Sequence, residues 1–123
     1  MTIARVVVFG VVLLVWSPTG ASAEPLPITW SAPPGCPSLR DVTSWLEAVV
    51  PAELRTRLAG VTAEVHITRV ERTYRAEIVV THDAWTGERE VEGRRCEEVA
   101  RSAIVIVSVS LAEAVEVAER DVP

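Results

Sequence analysis

Hydrophobic and mostly polar residues alternate in the middle of the chain. Residues 61–68 carry an apolar side chain at every second position, and residues 74–81 repeat this period. A period of two is typical of β-strands that bury one face. Because the link between them is short, we expect an antiparallel hairpin in which Arg69 pairs with Tyr74. This register places both apolar rows on the same face.

Weaker patterns predict two edge strands. Residues 88–93, EREVEG, alternate weakly and would form an edge strand that is blunted by its charges. The preceding HDAWTG, residues 82–87, predicts a turn. Residues 24–37 are rich in proline and should be extended, with residues 28–30 able to add a short edge strand.

A period near 3.6 appears on the amino-terminal side of the hairpin. Ser38 is a suitable N-cap, and Asp41 follows three positions later, as in a variant of the capping box. The residues that follow form one apolar stripe, which predicts a helix: Leu39, Val42, Trp45, Leu46, Val49 and Val50. Pro51 interrupts the helix, and a further short turn can follow before Gly60.

The segment from Cys96 to Glu119 is ambiguous. Its β-branched centre, AIVIVSVSL, would suit a buried strand. The segment contains no turn signal, however, and glutamates at its start with Arg120 at its end suit a helix dipole. We predict a long, largely buried helix, with the strand as the alternative.

Together these elements predict an α+β domain over residues 38–120. Its architecture would be a two-layer sandwich of helix, β-hairpin and helix, with one possible edge strand. The sheet would be antiparallel, and both helices would lie on one face.

The amino-terminal residues have the pattern of a secretory signal peptide. Basic Arg5 precedes an apolar run at residues 6–16, and a breaker and the small residues 21–23 follow. This order predicts cleavage after Ala23 and export to the periplasm or the medium. The apolar run is shorter than the roughly 20 residues that span a bilayer, so we expect no stable membrane span after cleavage.

The charge of the chain narrows the class of partner. The formal net charge is −5, and removal of Arg5 with the leader would take it to −6. An acidic chain without a basic stripe is a poor candidate for binding nucleic acid. We therefore expect an unknown protein or another envelope component as the partner.

Cys36 and Cys96 are the only cysteines, and each begins a predicted helix. In an oxidising compartment two cysteines in a small domain usually pair, so we predict a structural disulfide. The alternative is a redox thiol at Cys96, whose pKa would be lowered by Arg94, Arg95 and the helix start. A redox pair would usually be a closely spaced Cys-x-x-Cys, which this chain does not contain.

The remaining candidates for chemistry are sparse. His82 and Asp83 are too few for a zinc site, and the predicted register separates His66 from His82. Glu64 and Glu77 share the exposed sheet face, but a solvated face is favoured over an acid–base pair. We expect no catalytic residue, no metal and no cofactor.

Trp85 is the most prominent exposed candidate. A tryptophan in a loop can anchor a partner or stack on a sugar, and His82 and Asp83 would lie beside it. The alternative, which we favour, is that the indole folds back over the core.

Two segments resemble uncharacterised small exported proteins that are common in myxobacteria. They are WSAPPGCPSLRDV, residues 30–42, and GRRCEEVARSA, residues 93–103. The resemblance implies a single two-cysteine α/β module whose final segment is a helix. It implies no catalytic activity, because no activity is established for these proteins.

The leading functional hypothesis is a non-enzymatic, disulfide-bonded module of the cell envelope. It would bind a partner through the open sheet face or the segment around Trp85. A small secreted protease inhibitor acting through an exposed loop is an alternative, and an enzyme with an unrecognised site is another.

Overall fold

The computed structural model describes residues 25–120, together with the isolated Gly10. Apart from Gly10, the predicted signal peptide therefore lies outside the described residues. Seven elements follow one another along the chain: β1 (Ile28–Ser31), α1 (Leu39–Val49), α2 (Ala52–Arg55), β2 (Val61–Val70), β3 (Thr73–His82), β4 (Trp85–Gly93) and α3 (Cys96–Arg120). The predicted α+β class is confirmed.

The sheet has four strands in the order β1-β2-β3-β4. Strands β2 and β3 are antiparallel in the predicted register, with Arg69 opposite Tyr74. The strands are longer than expected, so the turns are tighter, with only two residues between β2 and β3 and two between β3 and β4. Glu71 and Asp83 accommodate these turns with φ values of 56° and 50°, the sign that tight hairpin turns require.

The prediction of an antiparallel sheet was wrong for β1, which runs parallel to β2 and makes the sheet mixed. A parallel pair needs a crossover connection, and α1 with α2 supplies it. The turn predicted at residues 82–87 is also shorter in the structure, since β4 already begins at Trp85.

Both long helices cover the same face of the sheet, as expected. Alternate residues of β2 and β3 point into this layer, and α1 and α3 supply its other side. The largest fully buried side chains are Leu46, Ile67, Ile78, Leu111, Val42, Val65, Val80, Val99 and Val107.

The ambiguous final segment is helical from Cys96 to Arg120. Valine and isoleucine each lower helix stability by less than about 1 kcal/mol relative to alanine. Burying such a side chain gains about 1.5–3 kcal/mol, which exceeds that cost. Ile104 and Val107 are buried against the rest of the core, so packing decides the conformation.

Among the described residues, no helix is long and apolar enough to cross a membrane. Helix α3 has the length, but its ends are charged and one side of it forms the domain core.

Candidate functional site

A disulfide joins the starts of the two long helices. Cys36 and Cys96 are bonded, with their Cα atoms 5.4 Å apart and a sequence separation of 60. Cys96 is buried at 8% exposure. The predicted structural bridge is confirmed, and neither thiol is free to act as a nucleophile while the bond is intact.

The same corner is fixed by polar contacts. Ser38 accepts a hydrogen bond from the Asp41 N–H, and the Asp41 carboxylate accepts one from the Ser38 N–H. The indole Nε1 of Trp30 donates to the carbonyl of Pro37 at 3.0 Å. The Ser38–Asp41 pair satisfies two N–H groups at the start of α1, where a helix leaves N–H groups unpaired. The indole bond ties Trp30 to the residue before the cap.

A second contact between α1 and α3 lies beyond the disulfide. The guanidinium of Arg101 lies over the ring of Trp45, 4.1 Å from its centroid. Arg101 also donates to Glu97 one turn earlier on α3. Because the disulfide and this stacked pair follow each other along both helices, α1 and α3 run in the same direction.

The structure brings His82, Asp83 and Trp85 together at the turn between β3 and β4. His82 pairs with Trp85 across the hairpin, and its Nδ1 lies 3.3 Å from Oδ2 of Asp83. Only the Asp83 side chain is widely accessible, at 87% exposure against 18% for His82.

The indole of Trp85 is half-buried and packs against the core. A Cβ atom added at Gly87 would lie 2.7 Å from Cη2 of that ring, which shows how closely the indole covers β4. The packed alternative favoured from the sequence is therefore observed. A partner-binding role for Trp85, His82 and Asp83 stays a prediction.

The two histidines lie at separate places in the sheet. His66 is opposite Glu77, whereas His82 is opposite Val61 at the far end of the same strand pair. No group of three side chains suitable for holding a metal ion occurs within the part of the chain that the structure describes.

The sheet face opposite the helices is open and strongly acidic. The strand registers place five exposed glutamates on it, which we call the acidic face: Glu64, Glu77, Glu88, Glu90 and Glu92. Arg75 is the one arginine that the four strands direct to this side, and it bonds Glu92 and lies 3.1 Å from Glu90. The Glu92 hydrogen bond and the nearby Glu90 charge raise the pKa of Arg75 above its ordinary value.

The centre of the acidic face is slightly concave. A depression of about 380 Å³ lies between β3 and β4, and Glu77, Val79, Glu88 and Glu90 contribute to its lining. Val79 gives it an apolar floor between carboxylates. The depression can receive the aliphatic stem of a lysine or arginine whose charged end would meet the glutamates.

Sequence reasoning identified Glu64 and Glu77 on this face but did not include the three glutamates of β4. The sequence does contain the pattern, because the glutamates at positions 88, 90 and 92 are two residues apart and would lie on one face of a strand. What was missing was the register of β4 against β3, which places Glu90 opposite Glu77. A charged edge strand then becomes part of a continuous surface.

Comparison with known proteins identifies no relative from which a function could be inferred. No family model and no curated protein matches the chain. A solved structure that resembles it is the crystal structure of the Protein Y N-terminal domain from Thermus thermophilus, at 20% sequence identity and a TM-score of 0.42. The match covers 57% of this chain and 78% of that chain. A similarity of this size carries no functional conclusion here.

Proposed function

We propose that the protein is an exported, non-enzymatic binding module that docks a basic protein surface on its acidic face. The observation that carries the proposal is the charge imbalance of that face, where five exposed glutamates accompany one half-buried arginine. The disulfide, which suits an oxidising compartment, supports the exported location.

The geometry favours docking of side chains. The face is broad, and its depression combines carboxylates with the apolar Val79. Charges on such a surface steer a partner of opposite sign and raise the rate of association, an effect that salt weakens. A partner with lysine or arginine side chains therefore fits this face best.

Site-specific photo-crosslinking in the cell envelope of the producing organism tests the proposal. A photoreactive amino acid at Thr86, beside the depression, should yield one dominant adduct with a protein. Replacing Glu77, Glu88 and Glu90 together by glutamine should lower the yield at least fivefold, and added salt should lower it further.

A matched variant removes the same charge elsewhere. Glu47, Glu53 and Glu71 are exposed and lie outside the acidic face, so their joint replacement by glutamine should leave the adduct unchanged. Equal yields from the two triple variants would contradict the acidic face as the docking surface.

A further inference from the structure

Strand β4 forms one edge of the sheet. In the order β1-β2-β3-β4 it pairs only with β3, and among the described residues no strand lies beyond it. All nine of its residues pair with β3 in sequence, without a bulge, and none of them is proline. Bulges and prolines are common devices that prevent an edge strand from pairing further. The backbone of β4 is therefore able to accept another strand.

The hairpin geometry identifies the free backbone groups of β4. Two residues separate His82 from Trp85, and the residues that flank such a turn are joined by a hydrogen bond. Bonded and free residues then alternate along β4, and the residues whose N–H and C=O groups point away from β3 are Thr86, Glu88, Glu90 and Glu92. The carbonyl of Glu88 accepts a bond from Nη1 of Arg89 at 2.8 Å, which agrees with an outward direction.

The residues with free backbone groups also carry the glutamates of β4 on the acidic face. An antiparallel strand added to this edge would set one of its own side chains directly opposite Glu88 and another opposite Glu90. The Cβ atoms of such a pair lie about 5 Å apart on the same face of the sheet. One extended segment would thus bond the edge of β4 and extend over the acidic face.

The charges on the acidic face favour a basic residue at these two positions. Arg75 contacts both Glu90 and Glu92, but it is one arginine among five exposed glutamates on this face. The excess of negative charge therefore remains. Opposite charges that face each other across two strands attract, so lysine or arginine fits opposite Glu88 and Glu90.

The other side of β4 sets the spacing of the basic residues. Arg89 points to the helical side, where it lies 3.8 Å from Glu113 of α3, and it would repel a basic residue opposite it. Arg94 and Arg95 follow the last residue of β4 that pairs with β3, and so lie beyond this stretch of the edge. The fitting segment therefore has basic residues at every second position and uncharged residues between them.

A second copy of β4 does not fit this edge. Antiparallel pairing of two copies about a two-fold axis would place glutamate opposite glutamate, whether Arg89 or Glu90 lies at the axis. Like charges directly opposite each other are destabilising, and charged edge strands commonly prevent self-pairing in this way. The glutamates therefore exclude a copy of the chain and admit a basic strand.

We propose that β4 accepts an extended segment of another protein as a fifth, antiparallel strand, with lysine or arginine facing Glu88 and Glu90. Antiparallel pairing is the more stable of the two orientations. In such strand addition, main-chain bonds provide affinity and alternate side chains provide specificity. Strand addition deepens the proposed function and rests on it, because it gives the conformation in which a basic segment would meet the acidic face.

A designed peptide of alternating lysine and threonine tests the pairing. Fluorescence anisotropy of the labelled peptide with the oxidised protein should give micromolar binding at low salt. In the proposed strand the lysine N–H groups face β4 and the threonine N–H groups face away. N-methylation of the lysines should therefore weaken binding at least tenfold, whereas N-methylation of the threonines should change it by less than twofold.

Hydrogen exchange in the protein locates the added strand. In the free protein the amides of Glu88 and Glu90 point to solvent and should exchange rapidly, whereas those of Arg89 and Val91 bond β3 and should exchange slowly. The unmethylated peptide should slow exchange at Glu88 and Glu90 at least tenfold. A peptide that lay only on the acidic face would leave these two amides unprotected.

A matched pair of variants separates the backbone from the charge. Glu88→Pro and Glu88→Gln remove the same carboxylate, but only proline also removes the outward N–H, and proline is tolerated where an edge N–H faces solvent. Glu88→Pro should bind the peptide at least fivefold more weakly than Glu88→Gln. Thermal unfolding checks that both variants are folded.

Three results would overturn strand addition. The first is that methylation of the lysines weakens binding no more than methylation of the threonines. The second is unchanged exchange at Glu88 and Glu90 in the complex. If replacing Glu77, Glu88 and Glu90 by glutamine still weakened binding in either case, the acidic face would remain a docking surface. The third is no binding of the unmethylated peptide, and the crosslinking yield then decides the proposed function separately.

Discussion

The two broad surfaces of this domain are exposed to solvent in different ways. The acidic face of the sheet presents a carboxylate at nearly every outward position of β4. The solvent side of α3 presents serine, valine and alanine over its central three turns, residues 102–112. Both lie over the same core, and neither is covered by another described element.

The difference shows that burial alone does not determine surface chemistry. Outward residues of a strand or helix contribute little to the core, so each surface is free to carry charge. The sheet carries such charges, and in the proposed function they attract a basic partner. The middle of α3 carries none, which is unusual for the solvent side of a helix.

The largest expected effect on stability concerns the disulfide that links the two long helices. Replacing Cys36 and Cys96 together by alanine should lower the free energy of unfolding by about 4 kcal/mol, because the bridge closes a long loop in the unfolded chain. Urea unfolding measures the loss. Hydrogen exchange should rise more in α1 than in the β2–β3 hairpin, and a uniform rise would show that the helical layer does not loosen separately from the sheet.

A pair of changes on α3 separates its inner and outer sides. Leu111 is fully buried, whereas Val109 is 55% exposed. Leu111→Ala should cost about 2–5 kcal/mol through the cavity it leaves. Val109→Ala should change stability by less than about 0.5 kcal/mol, since alanine is the better helix former. Similar losses from both changes in urea unfolding would mean that Val109 serves the fold.

The hairpin was predictable to the register, because the alternation in β2 and β3 excludes any one-residue slip and the short link selects the pairing that remains. Helix α1 was equally predictable, from Ser38 and Asp41 at its start and from its apolar stripe. For α3 the local preference of its β-branched centre opposed the long-range packing, and only the assembled core resolves that conflict.

The surface features were harder to predict from the sequence than the hairpin and α1. The acidic face depends on the pairing of β4 with β3, which is a tertiary fact. The parallel pairing of β1 with β2 likewise depends on the crossover through α1. The uncharged solvent side of α3 could be located only after exposure had shown that the core does not bury Val105 and Val109.

A smaller effect is expected where β4 is covered by Trp85. In Gly87→Ala the new methyl group would meet the indole ring at 2.7 Å. The ring can move away, so the cost should be about 1 kcal/mol, the lower end of the range for overpacking. The indole N–H resonance of Trp85 should shift and become more accessible to solvent. Thr86→Ala, at an exposed position on the opposite face of β4, should leave that resonance unchanged.

The smallest effect measures repulsion within the acidic face itself. Glu77 lies directly opposite Glu90, and like charges in that position are unfavourable by a few tenths of a kcal/mol. Glu77→Gln should therefore raise the midpoint of thermal unfolding slightly at low salt, and the gain should fade as salt is added. Glu92→Gln is the matched change, because Glu92 bonds Arg75 and its loss should lower the midpoint instead. If both changes stabilised the domain equally, the face would act as one diffuse negative charge, and the pairing of Arg75 would contribute nothing to its stability.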